Sequence, residues 1–236
     1  MPNAIIVGAS SGIGRALARE LSREYDLGLA ARRVDRLTAV GEDVGGAHVA
    51  KIDVTEDDAR ERFDELADSM GGVDLVVLSS GIGRYNPDLE WADERDTIDV
   101  NVSGFTAIAT AAMERFDEQG SGHLVGISSV ASEIGSPALP AYSASKAFVS
   151  RYLEGLRYRA KRSDADVAVT DVRPGFVDTP MSPQSDRFWE CSPETAAVQI
   201  ARAIRKRKDV AYVTRRWWLV SKALGLLPDR FRADVM

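Results

Sequence analysis

Apolar runs alternate with stretches of helical periodicity along nearly the whole chain. Ala4 to Gly8 is a short apolar run ending in glycine, and from Ile13 to Tyr25 the positions Ile13, Leu17 and Leu21 recur on one helical face. Strand, glycine turn and helix are expected in that order. The unit then repeats: strand Leu27 to Ala31 with helix Val34 to Asp43, strand His48 to Ile52 with helix Glu56 to Met70, and strand Val73 to Leu78 with a long helical region from about Pro87 to Phe116. Strand His123 to Ser128, a helix from about Tyr142 to Lys161, strand Val167 to Arg173, helix Pro193 to Lys206 and strand Val210 to Val213 complete the series.

These strands are rich in Val, Ile, Leu and Ala and lack polar alternation, which is the pattern of strands buried on both faces. Regular alternation with helices implies right-handed crossovers and a parallel sheet. The expected fold is therefore α/β: a single-domain, doubly wound, Rossmann-type parallel sheet of about seven strands over residues 1–236, with helices on both faces. Ligands in such sheets bind beyond the carboxyl ends of the strands, where the strand order reverses. No low-complexity tract or linker marks a second domain.

Composition narrows the function classes. The 236 residues are 44% hydrophobic and 28% charged, with a net charge of −6, so general attraction to nucleic acid is not expected. The basic run Arg202, Arg205, Lys206, Arg207 and Lys208 sits where a helix ends and reads as a solvated terminus complementing the helix dipole. Cys191 is the only cysteine, which excludes an intrachain disulfide and fits a reducing cytoplasm. His48 and His123 lie far apart without ligand spacing, so no metal site is expected. The N-terminus enters its first strand without a secretion signal, and the apolar run from Trp217 to Leu227 contains Lys222 and is too short to span a bilayer.

The turn Gly8-Ala9-Ser10-Ser11-Gly12-Ile13-Gly14 follows the first strand directly. Its glycines allow a tight turn and close approach to a pyrophosphate, and the N–H groups opening the next helix meet negative charge. A bare strand-to-helix corner is the alternative. The motif resembles the cofactor fingerprint of the short-chain dehydrogenases/reductases, with Val7 where that family usually has Thr, and later motifs extend the resemblance over most of the chain. Asp53 and Val54 resemble the family's adenine-contacting pair, although Asp53 also suits an N-cap for the helix that follows. Ser80 and Gly81 end the fourth strand where the family usually has Asn-Asn-Ala-Gly.

The second strand ends in Arg32 and Arg33, with no acid before Asp35. NAD binders place a carboxylate there for the ribose 2′-hydroxyl, whereas guanidinium groups suit the 2′-phosphate of NADP. NADP is expected ahead of NAD; otherwise the two arginines simply begin a solvated helix.

Tyr142 and Lys146 match the family's Tyr-x-x-x-Lys and lie on one helical face. A free phenol titrates near 10, and a lysine charge about 4 Å away, at an effective dielectric near 20, contributes roughly 4 kcal/mol toward the tyrosinate. Six tyrosines and six lysines yield such a spacing by chance often enough that the pair alone is weak. Ser129, thirteen residues before Tyr142 at the end of the fifth strand, strengthens it, with Ser128 as the neighbouring alternative. Asn101 resembles the family's helix asparagine, which holds a water in a relay toward the lysine; the alternative is an exposed helical asparagine. Pro174, Gly175, Val177 and Thr179 resemble the segment that surrounds the nicotinamide.

The resemblance implies an NADP-dependent oxidoreductase that interconverts a carbonyl and an alcohol by hydride transfer. Tyr142 is then the proton donor or acceptor, with Asn101, Ser129 and Lys146 completing the catalytic set. Gly8, Ser10, Ser11, Gly12, Ile13, Gly14, Arg32, Arg33, Asp53, Val54, Ser80, Gly81, Pro174, Gly175, Val177 and Thr179 hold the cofactor, together with Tyr142 and Lys146. A homodimer or homotetramer is implied by family habit. A substrate lid is expected over about 180–192, with Phe188 and Trp189 in it, and an apolar helical segment over about 216–230 that packs on the domain itself or a neighbouring subunit, or meets a membrane surface. The competing reading is a non-catalytic regulatory or scaffold protein that binds the cofactor on the same fold.

Overall fold

A computed structural model describes residues 1–181, 189–214 and 216–219 of the chain. Seven strands, β1 (Asn3–Val7), β2 (Asp26–Ala31), β3 (His48–Lys51), β4 (Leu75–Leu78), β5 (Ser121–Ile127), β6 (Asp166–Pro174) and β7 (Val210–Val213), form one sheet in the order β3-β2-β1-β4-β5-β6-β7. Every neighbouring pair is parallel. The order reverses between β1 and β4, so the carboxyl ends of those two strands open the crevice where a doubly wound sheet takes its ligand.

Helices cover both faces, as the strand composition requires. Along β1, Ile5 and Val7 enter one core and Ala4 and Ile6 the other. The first core is closed by Phe63 of α3 (Ala59–Ser69), Ile108 and Phe116 of α5 (Phe105–Gln119) and Leu153 of α6 (Pro140–Ala160). The second is closed by Leu17 and Leu21 of α1 (Gly12–Leu21), Leu37 of α2 (Val34–Asp43) and Ile200 and Ile204 of α7 (Pro193–Arg205). A strand without polar alternation is stable here because neither face meets water.

Several boundaries differ from the periodicity, and α1 stops at Leu21 rather than running on to Tyr25. The third helix begins at Ala59 rather than Glu56, so Asp53 is not its N-cap; Asp53 instead accepts from the backbone N–H and hydroxyl of Thr55. The long helical region begins at Trp91, since Asn86 holds the preceding turn through bonds to the N–H and carbonyl of Glu90. It divides into α4 (Trp91–Ile98), a π-helical segment (Asp99–Gly104) and α5, which runs to Gln119 and stops at Gly120 in the left-handed conformation. The basic run at the end of α7 is held in surface ion pairs, Arg205 with Glu20 and Glu24, and Arg207 with Asp166. Among the described residues no helix is long and apolar enough to cross a membrane.

Candidate active site

Chemistry-bearing side chains converge at the carboxyl edge of the sheet. Gly8 (φ 93°) closes β1 and presses against the end of β4: a methyl added to it would lie 2.5 Å from the Ser80 nitrogen. One added to Gly14 would lie 2.3 Å from the Gly8 carbonyl oxygen. The turn therefore keeps its backbone bare because strand end and helix start touch, and a side chain at either glycine would strike backbone. Gly12 (φ 53°) lies under Thr179, whose methyl approaches the missing Cβ to 3.2 Å, so the segment after β6 closes over the same turn.

Arg33 lies across this turn. Its Nη2 donates to Ser10 Oγ at 3.1 Å and to Ser11 Oγ at 3.2 Å, leaving the guanidinium at the helix start where the strand end and α1 meet. Arg32 points elsewhere, toward Asp53 at 3.8 Å, and is largely exposed. Val54 is buried against the π-helical segment, where Gly104 lacks a side chain because Val54 occupies that space.

Tyr142 and Lys146 are one turn apart on α6. The Lys146 ammonium is buried, donates to the Ile127 carbonyl at 2.9 Å and stands 5.7 Å from the centre of the Tyr142 ring. Gly83 backs the phenol so closely that a methyl added to it would lie 3.0 Å from the ring. Gly81 does the same for Lys146 and Asn101, at 3.2 Å from Nζ and 3.3 Å from Oδ1. Asn101 is buried rather than exposed: Nδ2 donates to the Ile82 carbonyl at 2.8 Å and to Ser145 Oγ at 3.0 Å, and Oδ1 accepts from the Ile82 N–H at 2.8 Å. Ser129 Oγ accepts from the Ala131 N–H at 3.1 Å and is hydrogen-bonded to Tyr142. Ser128, the alternative, turns away toward Asp171 and the Val172 carbonyl.

The electrostatics correct one expectation. Burial raises the Tyr142 phenol above its usual value, and its hydrogen bond with Ser129 only partly offsets this. Burial also lowers the Lys146 ammonium to about 8, against an upward pull from Asp171. The lysine thus does not bring the tyrosinate within neutral range in the chain by itself. Its ammonium is directed at the Ile127 carbonyl, and the removal of water from the phenol outweighs the attraction of a cation at this distance.

Several residues that shape the candidate site were not visible in the sequence. Glu94 of α4 accepts from the Ala141 N–H at 3.1 Å and from Asn86 at 2.8 Å, which fixes the start of the helix that carries Tyr142. Asp171, fully buried in β6, accepts from Ser128, Ser150 and Arg173. A carboxylate in the middle of a strand covered on both faces was the signal for it. Pro174 ends β6, the Gly175 N–H donates to the Val213 carbonyl, and Val177 is buried. Trp217 is half-buried, its indole edge-on to Phe176 at 5.3 Å and to Trp189 at 5.9 Å, while Trp218 and Leu219 are exposed. Residues 182–188 of the expected lid, Phe188 included, and 220–230 of the C-terminal segment lie outside the described residues.

Comparison with known proteins bears on this arrangement. The family model described as short chain dehydrogenase matches residues 2–188. An uncharacterised oxidoreductase of Myxococcus xanthus is 40% identical over 187 residues, covering 76% of this chain and 73% of the relative. One of Mycobacterium tuberculosis is 34% identical over 242 residues, covering 96% and 94%. In fold, the chain is similar to a short-chain dehydrogenase from Sphingobium yanoikuyae solved in complex with NADPH, with a TM-score of 0.82 at 22% identity over 97% of both chains. It is also similar to a 3-ketoacyl-(acyl-carrier-protein) reductase from Brucella melitensis complexed with NADH, with a TM-score of 0.81 at 21% identity over 89% of this chain and 95% of that one.

Proposed function

This chain belongs to the short-chain dehydrogenase family, and from that premise we propose that it is an NADP-dependent oxidoreductase interconverting a carbonyl and an alcohol, with Tyr142 transferring the proton. The observation that carries the reading is the meeting of Ser129, Tyr142, Lys146 and Asn101 around the Gly81–Ile82 backbone at the carboxyl edge of the sheet. The residues fit a dinucleotide. The bare backbone of Gly8 and Gly14 lets the strand end and the helix start close on each other, which would bring a pyrophosphate against the N–H groups opening α1, with Ser10, Ser11, Gly12 and Ile13 completing the turn.

Arg33 favours the 2′-phosphate form, because a guanidinium already aligned by two serine hydroxyls needs little further ordering to bind an oxyanion. Arg32 contributes positive charge nearby, and Asp53 with Val54 forms the adenine end. Ser80, Gly81, Pro174, Gly175, Val177 and Thr179 would line the nicotinamide end, with Lys146 donating to its ribose.

When bound, the nicotinamide would supply or accept the hydride. The protein's own residues handle the oxygen and its proton. Ser129 donates to the substrate oxygen as charge develops there, and Tyr142 gives the proton in reduction or takes it in oxidation. With its phenol held above the usual range, Tyr142 is protonated at neutral pH, which suits carbonyl reduction. Lys146 holds positive charge below the phenol, and Asn101 fixes the backbone beside it while its own bonds tie α6 to the loop after β4. We read the chain as one domain, cytoplasmic in keeping with its lone cysteine, and a homodimer or homotetramer in keeping with its family.

A panel of ketones and alcohols followed by cofactor absorbance, with NADP(H) and NAD(H) in parallel, tests the proposal. Turnover with preference for NADP(H) supports it. Tight cofactor binding without turnover of any carbonyl would favour a regulatory or scaffold role instead.

A further inference from the structure

Two cations and two carboxylates gather beneath the catalytic edge, Lys146 and Asp171 buried, Arg173 and Glu133 partly exposed. Lys146 and Arg173 carry the positive charge, Asp171 and Glu133 the negative. Arg173 binds both acids, its Nε reaching Asp171 at 2.7 Å and its Nη1 pairing with Glu133. Asp171 is fully buried in β6 and also accepts from Ser150 Oγ at 2.6 Å and from Ser128 Oγ. Ser128 immediately precedes Ser129, and Ser150 lies one turn beyond Lys146 on α6, so a single carboxylate grips both elements that present the reacting groups.

Building on the roles proposed above for Ser129 and Lys146, we propose that Asp171 is a positioning residue: its carboxylate fastens the end of β5 to α6 and supplies the counter-charge that keeps Lys146 an ammonium. An isolated buried carboxylate is costly, and packing alone gives no reason to place one in a strand covered on both faces. Its serine and arginine partners offset that cost, and the charge left over acts on the lysine. The other groups facing Lys146 are neutral or opposed to this role. On α6 it faces Tyr142, on the π-helical segment Asn101, on the loop after β4 Gly81, and on β5 the Ile127 carbonyl. Beyond Asp171 lie Arg173, whose charge is taken up by Glu133 and Asp171, and Tyr212 of β7, bonded to Arg173 at 3.2 Å. Asp171 is accordingly the carboxylate that pulls the lysine upward against the effect of burial.

The test is a pH titration of the protein labelled with carbon-13 at lysine, in which Lys146→Arg assigns the Lys146 signal among the six lysines. The native signal is expected to titrate near 8. Asp171→Asn moves its midpoint down by about one pH unit, whereas Ser150→Ala, which removes a hydrogen bond and keeps the charge, leaves it in place. In ketone reduction, the ratio of Asp171→Asn to native kcat then falls as pH rises from 6 to 9, because the variant lysine loses its proton first. Equal midpoints for the native and Asp171→Asn proteins overturn the proposal. So does a native midpoint below 7, a measurement that stands even if the variant does not fold. The titration needs no turnover, so a protein that reduces no carbonyl refutes the reaction proposed above without deciding the role of Asp171.

Discussion

Asn101 and Ile82 exchange two hydrogen bonds, each 2.8 Å long, between one side-chain amide and both polar atoms of one residue's backbone. The loop after β4 has no strand partner at this point, and the amide takes the place of the missing ladder. It also reaches Ser145, the residue before Lys146, at 3.0 Å. Asn101 lies in the π-helical segment between α4 and α5, a local departure from the α-helix of the kind that recurs at functional positions.

Asn101→Ala leaves the Ile82 N–H and carbonyl without partners. At about 1–3 kcal/mol for a buried group left unpaired, and with Ile82 only partly buried, the expected loss is roughly 2 kcal/mol. Urea unfolding followed by circular dichroism should show a lower midpoint at an unchanged slope. Turnover should fall as well, since the backbone beside Lys146 loses its tether. A variant as stable as the native protein would show that the amide pair holds nothing in place.

Tyr142→Phe removes only the phenolic hydroxyl and keeps the ring packed on Gly83. Carbonyl reduction should drop by about 10²–10⁴-fold, the range a positioned proton donor contributes, with NADPH affinity within threefold or so of native by fluorescence titration. The two directions should also differ in pH dependence. Burial keeps the phenol protonated through neutral pH, so reduction is expected to be flat from pH 6 to about 7 and to fall only as Lys146 loses its proton near 8, whereas alcohol oxidation, which needs the phenolate, rises with pH.

Arg33→Ala separates the two cofactors. The guanidinium is held by Ser10 and Ser11, and a hydrogen bond to a charged group contributes about 1.5–3 kcal/mol, or roughly 10- to 150-fold in affinity. NADP(H) binding should weaken by that factor in calorimetry, with NAD(H) binding nearly unchanged. Arg32→Ala should matter less, because Arg32 is exposed and directed at Asp53. Equal losses for both cofactors on Arg33→Ala would mean that the arginine supports the turn rather than a phosphate.

The fold was legible because its strands are covered on both faces, so composition alone marks them, and the glycine turn was legible because close contact at Gly8 and Gly14 excludes side chains. The candidate site was legible wherever spacing along one element decides proximity, as for Tyr142 and Lys146. Periodicity failed where the backbone leaves a regular helix. Nothing in the apolar pattern distinguishes six residues of π-helix from α-helix, so burial of Asn101 was open from the sequence. Contacts between distant elements were hidden for a different reason: Asp171 with Ser128 and Ser150, and Glu94 with Ala141, join residues 21 to 47 positions apart. The acidity of Tyr142 is not legible from spacing, because the Coulomb attraction of the lysine follows from the sequence whereas the burial that opposes it does not.

His123 provides a pH test independent of the active site. It is buried on β5, and its Nε2 lies 2.8 Å from Thr170 Oγ1. Thr170 donates its own proton to the Lys208 carbonyl, so it accepts from His123 and the ring is neutral with hydrogen on Nε2. Burial, helped by the charge of Arg207, lowers the imidazole from 6.5 to about 4. Between those values the unfolded chain binds a proton that the folded chain refuses, so stability contributed by the neutral ring is intact above pH 6.5 and is lost as pH falls toward 4. Over the whole window the loss from this one residue is roughly 3 kcal/mol. Other groups also respond to acid, so the measurement is a comparison: urea unfolding of native and His123→Gln proteins from about pH 7.5 to about pH 4.5. Gln keeps an N–H for Thr170 but cannot titrate, and the native protein should lose about 2 kcal/mol more than the variant across that range. Parallel pH profiles would show that the buried imidazole gains a proton without cost, contrary to its surroundings.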